Sequence, residues 1–216
     1  KGVPIMFSEF AKVSSATWGV IVALLLVGIV VFAVSKDKKR WTARMLANGA
    51  LCIALSTVLS FITLYKMPQG GSITLASMLP MFLFAYAYGV SPGMLVGAAY
   101  GFVQFLQGGL YFVHPVELLL DYPLAFAMLG LAGLSSKFSD QWGMIPVIIL
   151  GTFGRFVCAF LSGLIFFGMY APEGQNVVIY SMVYNGLYLV PEAIICIVLA
   201  MIPQIRQLAK RLALQD

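Results

Sequence analysis

Residues 144–168 read MIPVIILGTFGRFVCAFLSGLIFFG, and Arg155 is the one charged side chain among them. At a rise of about 1.5 Å per residue, a helix of this length crosses the hydrocarbon core of a bilayer, which is about 30 Å thick. The chain as a whole shares this character, since 61% of its 216 residues are hydrophobic, 10% are charged, and its mean hydropathy is +0.96. The sequence therefore excludes a soluble domain. It predicts an all-α polytopic membrane protein, because the alternating pattern of a membrane β-barrel is missing.

Similar apolar runs recur along the chain. We predict seven membrane spans, at residues 16–35, 45–65, 73–90, 92–108, 118–135, 144–168 and 177–203.

The positions of the basic residues predict the orientation of these spans. The cluster KDKKR at residues 36–40 follows the first span, and short basic loops remain in the cytoplasm. If the spans alternate, Lys137 and the tail with Arg206, Lys210 and Arg211 fall on the same side. We therefore expect the N-terminus outside the cell and the C-terminus in the cytoplasm.

Several function classes are disfavoured by what the sequence lacks. The basic residues lie beside the ends of apolar runs, which is typical of membrane topology rather than of nucleic-acid binding. No GxxxxGK[ST], HExxH or GxSxG motif is present, so we expect no nucleotide hydrolysis and no catalytic residues. Cys52, Cys158 and Cys196 lie in apolar runs without the spacing of metal ligands, so we expect neither a metal nor a cofactor.

Three longer connections are predicted to face outward, at residues 66–72, 108–117 and 168–176. They are rich in aromatic residues, glycine and proline, and binding residues are often found on loops held by a rigid scaffold. Residues 66–72 contain Gly70 and Gly71, which permit large changes in the backbone. We expect this loop to act as a lid over an extracellular site.

Two charged residues lie deep inside predicted spans and require partners. Arg155 and Glu192 are each about eleven residues from the cytoplasmic end of their span, so at about 1.5 Å per residue they reach a similar depth. An unpaired charge at the centre of a membrane helix is unfavourable by about 2.5–3.5 kcal/mol on insertion scales. We therefore predict a structural ion pair between Arg155 and Glu192.

The stretch HPVELLLDYPLA, residues 114–125, concentrates ionisable groups near the outer rim. His114 and Glu117 are expected to remain wet, with His114 as a solvated or capping residue and Glu117 near the positive end of the helix dipole. Asp121 lies one turn deeper and is followed by Tyr122. It is a candidate ligand group, although a second helix-start carboxylate is the alternative.

Tyrosines provide a second signal for binding. Tyr180, Tyr184 and Tyr188 share one helix face in the last span, with Asn185 beside them. An aromatic belt at the membrane interface explains some tyrosines, but belt residues need not share a face. Tyrosines around a carboxylate suit a flat cationic or hydrogen-bonding organic ligand. Further tyrosines map to the same half of the membrane: Tyr100, Tyr111, Tyr122 and Tyr170.

The second span has a face of small residues, formed by Ala43, Ala47, Ala50 and Ala54. Small faces allow membrane helices to approach closely. This face either packs within the bundle or docks another membrane subunit.

Four runs together resemble the thiamine-specific substrate-binding (S) component of energy-coupling-factor (ECF) transporters. They are MPQGGSITLASMLPMFLFAYAYG, HPVELLLDYPLAFAMLGLAGL, SGLIFFGMYAPEG and IYSMVYNGLYLVPE. The resemblance implies a six-helix membrane domain at residues 41–216, preceded by an extra transmembrane helix and basic linker at residues 1–40. It implies a bacterial membrane protein that captures thiamine and docks on a transmembrane coupling protein with two ATPase subunits.

The resemblance also implies roles for individual residues. The substrate-binding set would be Asp121, Tyr122, Asn185, Tyr180, Tyr100, Tyr111 and Phe167, with Glu117 and Tyr184 as further candidates, and the alanine face would dock the coupling protein. Ala159 stands where the family often has a histidine. A B6 vitamer or a thiamine precursor is therefore an alternative ligand, and a self-sufficient ion-coupled carrier is an alternative mechanism.

Overall fold

The computed structural model describes residues 41–108, 114–137 and 144–214. The predicted N-terminal region at residues 1–40, with its span at residues 16–35 and its basic linker, and the candidate Tyr111 lie outside this range. The helices are α1 (Ala43–Phe61), α2 (Leu79–Tyr88), α3 (Val90–Gln107), α4 (Pro115–Leu119), α5 (Ala125–Ala127), α6 (Met144–Phe166), α7 (Val177–Ala200) and α8 (Pro203–Leu214). Two short strands, β1 (Thr63–Lys66) and β2 (Ser72–Thr74), form an antiparallel hairpin.

The described part of the chain is a membrane bundle of helices, which confirms the predicted fold class. Four of its helices are long and apolar enough to cross a bilayer: Ala43–Phe61, Pro115–Leu134, Met144–Phe166 and Val177–Ala200. The short helix α2 is buried along most of its length. It lies at the centre of the main apolar core, together with residues of α1, α7 and α8.

The span Pro115–Leu134 is a composite helix. It begins as α4, continues through a π-helical turn at Leu120–Leu124, passes through α5 and ends as a 3₁₀ helix at Met128–Lys137. Pro123 lies inside the π turn, and proline has no N–H for the regular α-helical hydrogen bond. The wide turn accommodates this loss, and π turns are frequent at functional sites.

Glycines on α3 bring the composite helix close. A Cβ on Gly101 would lie 2.5 Å from the carbonyl oxygen of Tyr122, and a Cβ on Gly97 would lie 2.3 Å from that of Phe126. Only glycine permits so close an approach between the two backbones. These glycines, in the span predicted at residues 92–108, therefore determine how close the turn with Asp121 and Tyr122 lies to α3.

The hairpin corrects two predicted boundaries. The spans predicted at residues 45–65 and 73–90 are shorter, because α1 ends at Phe61 and α2 begins at Leu79. The intervening strands pair with Lys66 opposite Ser72 and Thr63 opposite Thr74. The strands contain apolar residues, so the hydropathy stays high from each helix into the neighbouring strand. Hydropathy alone therefore could not separate the strands from the spans.

Candidate functional site

A cavity of about 650 Å³ opens between the hairpin and the helices, a size typical of small-molecule sites. Most of the predicted substrate-binding residues line it: Glu117, Asp121, Tyr122, Phe167, Tyr180, Tyr184 and Asn185. The hairpin contributes the backbone and side chains of one wall, from Lys66 to Thr74.

Asp121 projects from the π turn of the composite helix into this cavity. The hydroxyl of Ser162 on α6 donates a hydrogen bond of 2.8 Å to its Oδ2 atom. Within the described ranges, its Oδ1 atom receives no hydrogen bond. Since an ionised carboxylate can accept about four hydrogen bonds, Asp121 retains acceptor capacity for a ligand.

His114 and Glu117 form the N-terminal cap of the composite helix. The Nδ1 atom of His114 accepts a hydrogen bond of 3.1 Å from the backbone N–H of Val116, and Glu117 accepts one of 3.2 Å from the backbone N–H of His114. The expectation that both residues remain wet is wrong, because they are only 3% and 5% exposed. The reciprocal cap gives partners to the His114 Nδ1 atom and to the backbone N–H groups of His114 and Val116, which burial would otherwise leave unpaired. The His114 ring also stacks on Phe166, with ring centroids 5.2 Å apart.

The tyrosines of α7 form a continuous ladder along one wall. The ring centroids of Tyr180 and Tyr184 are 6.0 Å apart, as are those of Tyr184 and Tyr188. The hydroxyl oxygen of Tyr184 accepts a hydrogen bond of 3.2 Å from the backbone N–H of Gly71 in the hairpin. The ladder therefore both lines the cavity and holds the hairpin.

Asn185 lines the cavity beside this ladder and is largely buried. Its side-chain NH₂ donates to the carbonyl oxygens of Ser181 and Ala159 at 2.9 and 3.2 Å, and its Oδ1 accepts from the Tyr188 hydroxyl at 2.9 Å. The amide is thus fixed in orientation. Its oxygen keeps one lone pair for a further hydrogen bond.

One described aromatic residue of the predicted set, Tyr100, does not line the cavity. Tyr100 is fully buried behind the wall, where its hydroxyl donates to the carbonyl oxygen of Ser56 at 3.2 Å and accepts from Gln104. Its ring meets Phe126 edge-on at 5.0 Å. Tyr111, as stated above, lies outside the described residues.

The predicted Arg155–Glu192 pair is replaced by other contacts. The Arg155 guanidinium lies 4.0 Å from the centroid of the Phe126 ring, a cation–π contact. The Glu192 carboxylate accepts hydrogen bonds from the backbone N–H groups of Thr74 and Ser77 at 2.5 and 3.0 Å. The expectation of a direct ion pair is therefore wrong: both residues line the cavity, but neutral donors satisfy the carboxylate.

Other cavity residues were not predicted. Tyr188 appeared in the sequence pattern but not in the predicted set, whereas the polar wall residues Thr74, Ser77, Gln104 and Gln107 carried no signal of their own. Neutral polar residues near span ends are common, so only the fold could assign them to the cavity.

The alanine face of α1 points away from the bundle. Ala43, Ala47, Ala50 and Ala54 are all exposed, whereas Gly49 on another face packs against Phe84 and Val96. Packing within the described bundle therefore does not account for this face. Among the described residues, no group of His, Cys, Asp and Glu is arranged to hold a metal ion.

Comparisons with known proteins agree with this architecture. A sequence profile described as thiamine transporter protein matches residues 46–212. The chain is 37% identical to the thiamine transporter ThiT of Bacillus subtilis (strain 168) over 160 residues, which cover 68% of this chain and 83% of that protein. It is 32% identical to ThiT of Lacticaseibacillus paracasei over 123 residues, which cover 50% of this chain and 61% of that protein.

A solved structure gives the same result for the fold. ThiT from Listeria monocytogenes has a TM-score of 0.68 and 26% identity to this chain, with 78% of this chain and 96% of that chain covered. Since the profile matches most of the chain and the relatives share its fold, the chain belongs to the thiamine transporter protein family.

Proposed function

We propose that this protein captures thiamine at the outer face of the membrane and delivers it through an ATP-driven ECF transporter, of which it is the S component. The observation that carries this proposal is Asp121, a carboxylate with free acceptor capacity in a cavity walled by tyrosines. Thiamine combines a positively charged thiazolium ring with a neutral aminopyrimidine ring, so it needs one anion and flat partners for two rings.

The charges of the cavity single out Asp121 as the anion. Glu117 is used in the helix cap, and Glu192 is held by Thr74 and Ser77. Among the described residues, Asp121 receives a hydrogen bond from Ser162 alone. A carboxylate in a low-dielectric site attracts a cation far more strongly than in water, so Asp121 fixes the thiazolium.

The aromatic wall supplies the remaining contacts. The cavity is lined by five aromatic residues of this set: Tyr122, Phe167, Tyr180, Tyr184 and Tyr188. Stacking and cation–π contacts of this kind contribute about 0.5–2 kcal/mol each. The Oδ1 atom of Asn185, whose orientation is fixed by its bonds, accepts a hydrogen bond from the aminopyrimidine.

The exposed alanine face supports the second half of the proposal. A membrane helix that presents Ala43, Ala47, Ala50 and Ala54 outward permits a partner helix to approach closely. We assign this face to the transmembrane coupling protein, which two ATPase subunits drive. The basic residues of α8 lie at the cytoplasmic side in this orientation, the N-terminus is outside, and the cavity with its hairpin faces the exterior.

Calorimetry on the purified full-length protein tests the substrate. Thiamine, thiamine phosphates and pyridoxine are titrated separately into the protein in detergent. We expect thiamine to bind more tightly than pyridoxine by at least about tenfold, because pyridoxine lacks a fixed positive charge to pair with Asp121. Binding of pyridoxine but not of thiamine would contradict the substrate while leaving the fold unaffected.

Reconstitution tests the coupling. Vesicles that contain this protein alone should show no concentrative thiamine uptake under a proton gradient. In the proposed transporter the energy comes from the ATPase subunits, since this chain has no nucleotide-binding motif of its own. Uptake by the protein alone would contradict the assignment as an S component and favour an ion-coupled carrier.

A further inference from the structure

The hairpin is joined to α7 at two places, and the first is its base, which we define as residues 74–77. There the Glu192 carboxylate, 2% exposed, accepts from the N–H groups of Thr74 and Ser77 at 2.5 and 3.0 Å. The hydroxyl oxygens of the same two residues lie 2.6 and 3.3 Å from its Oε1 atom. The base is therefore held by a buried, charge-assisted network.

The backbone of the base is shaped for this carboxylate. Ala76 has φ of +57°, a left-handed conformation that residues other than glycine rarely adopt. Its N–H donates to the carbonyl oxygen of Thr74 at 2.9 Å. The N–H groups of Thr74 and Ser77 consequently converge on Glu192, as backbone N–H groups do in other anion-binding turns.

The second place is the hairpin tip, which we define as Gly70 and Gly71. The backbone N–H of Gly71 donates a single hydrogen bond of 3.2 Å to the Tyr184 hydroxyl. Gly70 has φ of +99° and nothing within 4 Å of its Cβ position. Gly71 also packs closely against the Tyr188 ring, but the tip has one hydrogen bond to α7 among the described residues, whereas the base has several charge-assisted ones.

We propose that Glu192 is a positioning residue, which fixes the hairpin base as a hinge while the tip opens and closes over the cavity. Glu192 does not contact the substrate in this scheme. It sets where β2 runs along the tyrosine ladder, and so determines whether the Gly71–Tyr184 contact can close the cavity. This inference rests on the proposed function, because the motion admits and retains thiamine.

Hydrogen–deuterium exchange at single amides, measured on the full-length protein in detergent without thiamine, tests the hinge. We expect the amides of Thr74 and Ser77 to exchange at least about tenfold more slowly than that of Gly71, because the base stays closed while the tip opens. Added thiamine should slow Gly71 and leave Thr74 and Ser77 nearly unchanged. Equal rates at base and tip in the thiamine-free protein would overturn the proposal.

Glu192→Gln tests the carboxylate itself. One of its two acceptor oxygens becomes an NH₂ donor, so exchange at Thr74 and Ser77 should accelerate about tenfold. The thiamine dissociation rate should rise about tenfold while the association rate changes less than about threefold, since affinity differences reside mainly in dissociation. A merely structural role would reduce the folded fraction and leave both rates of the folded protein unchanged, which would overturn the proposal.

The control is Glu173→Gln, which removes the same charge from an exposed residue. Neither exchange at the base nor the thiamine rates should change. If Glu192→Gln does not fold, the comparison of base and tip in the unmodified protein still decides the hinge. Failure of thiamine to bind would refute the proposed function, whereas the thiamine-free exchange rates test the hinge separately.

Discussion

The two regions of the cavity that contain Asp121 and Glu192 use the same chemical group in different ways. Asp121, on the π turn, has one hydrogen bond within the described part of the chain, from Ser162. Glu192, on α7, is surrounded by the N–H groups and hydroxyls of Thr74 and Ser77. The difference indicates that a buried carboxylate saturated by its own protein supports structure, whereas one with free lone pairs is available for a ligand.

The backbones that supply these two carboxylates differ as well. The π turn at Leu120–Leu124 presents Asp121 from an irregular segment that Gly101 allows to lie close to α3. The Glu192 region instead joins the long helix α7 to the hairpin base. Loss of Glu192 should therefore reduce stability as well as speed thiamine release, whereas loss of the Asp121 charge should weaken binding with little effect on stability.

Glu192→Ala should have the largest effect, on stability. It leaves the buried N–H group of Thr74 without its carboxylate acceptor and that of Ser77 with only the Thr74 hydroxyl oxygen, 3.3 Å away, and an unsatisfied buried group is unfavourable by about 1–3 kcal/mol. We expect the free energy of unfolding to fall by about 3–5 kcal/mol, measured by denaturant unfolding in detergent without thiamine. Glu173→Ala on the exposed loop serves as the control, and a loss of less than about 1 kcal/mol in Glu192→Ala would remove the distinction between the two regions.

Asp121→Asn should weaken thiamine binding and leave stability nearly unchanged. The amide oxygen of asparagine can still accept from Ser162, so unfolding should change by less than about 1 kcal/mol. Loss of the charge should weaken thiamine binding by about 1.5–3 kcal/mol, or roughly 10- to 150-fold, measured by calorimetry. An unchanged affinity would return Asp121 to a structural role as a helix-start carboxylate.

The binding region was the more predictable of the two. Asp121 and Tyr122 stood out because charge inside an apolar run is unfavourable and requires a reason. The face shared by Tyr180, Tyr184 and Tyr188 follows from helical periodicity alone. Both signals are local in sequence, so the cavity wall could be outlined before the fold was known.

The Glu192 region could not be predicted in this way. Charge and depth suggested Arg155 as its partner, since sequence reasoning pairs opposite charges. The actual donors, Thr74 and Ser77, are neutral and more than a hundred residues away, at separations of 118 and 115 residues. Their N–H groups converge through a turn with Ala76 at positive φ, a conformation for which alanine gives no signal. The capping role of His114 was among the expectations, but the burial of His114 and Glu117 was missed for a similar reason, because burial depends on packing around the loop.

Gly101→Ala tests whether the close backbone contact behind Asp121 matters for binding, and its effect should be the smallest. The added Cβ would lie 2.5 Å from the carbonyl oxygen of Tyr122, so the π turn must shift. We expect a loss of about 1–2 kcal/mol in thiamine affinity and a similar loss in stability, because overpacking displaces the backbone that carries Asp121.

Gly186→Ala is the matched control, since Gly186 lies in α7 beside the tyrosine ladder and has nothing within 4 Å of its Cβ position. There the same substitution should stabilise the protein by about 0.5–1 kcal/mol through helix propensity, without weakening thiamine binding. If Gly101→Ala and Gly186→Ala bind thiamine equally well, the position of the π turn does not determine how Asp121 meets its ligand. A selective loss in Gly101→Ala would show that the ligand carboxylate depends on backbone placement, as the hairpin base depends on Glu192.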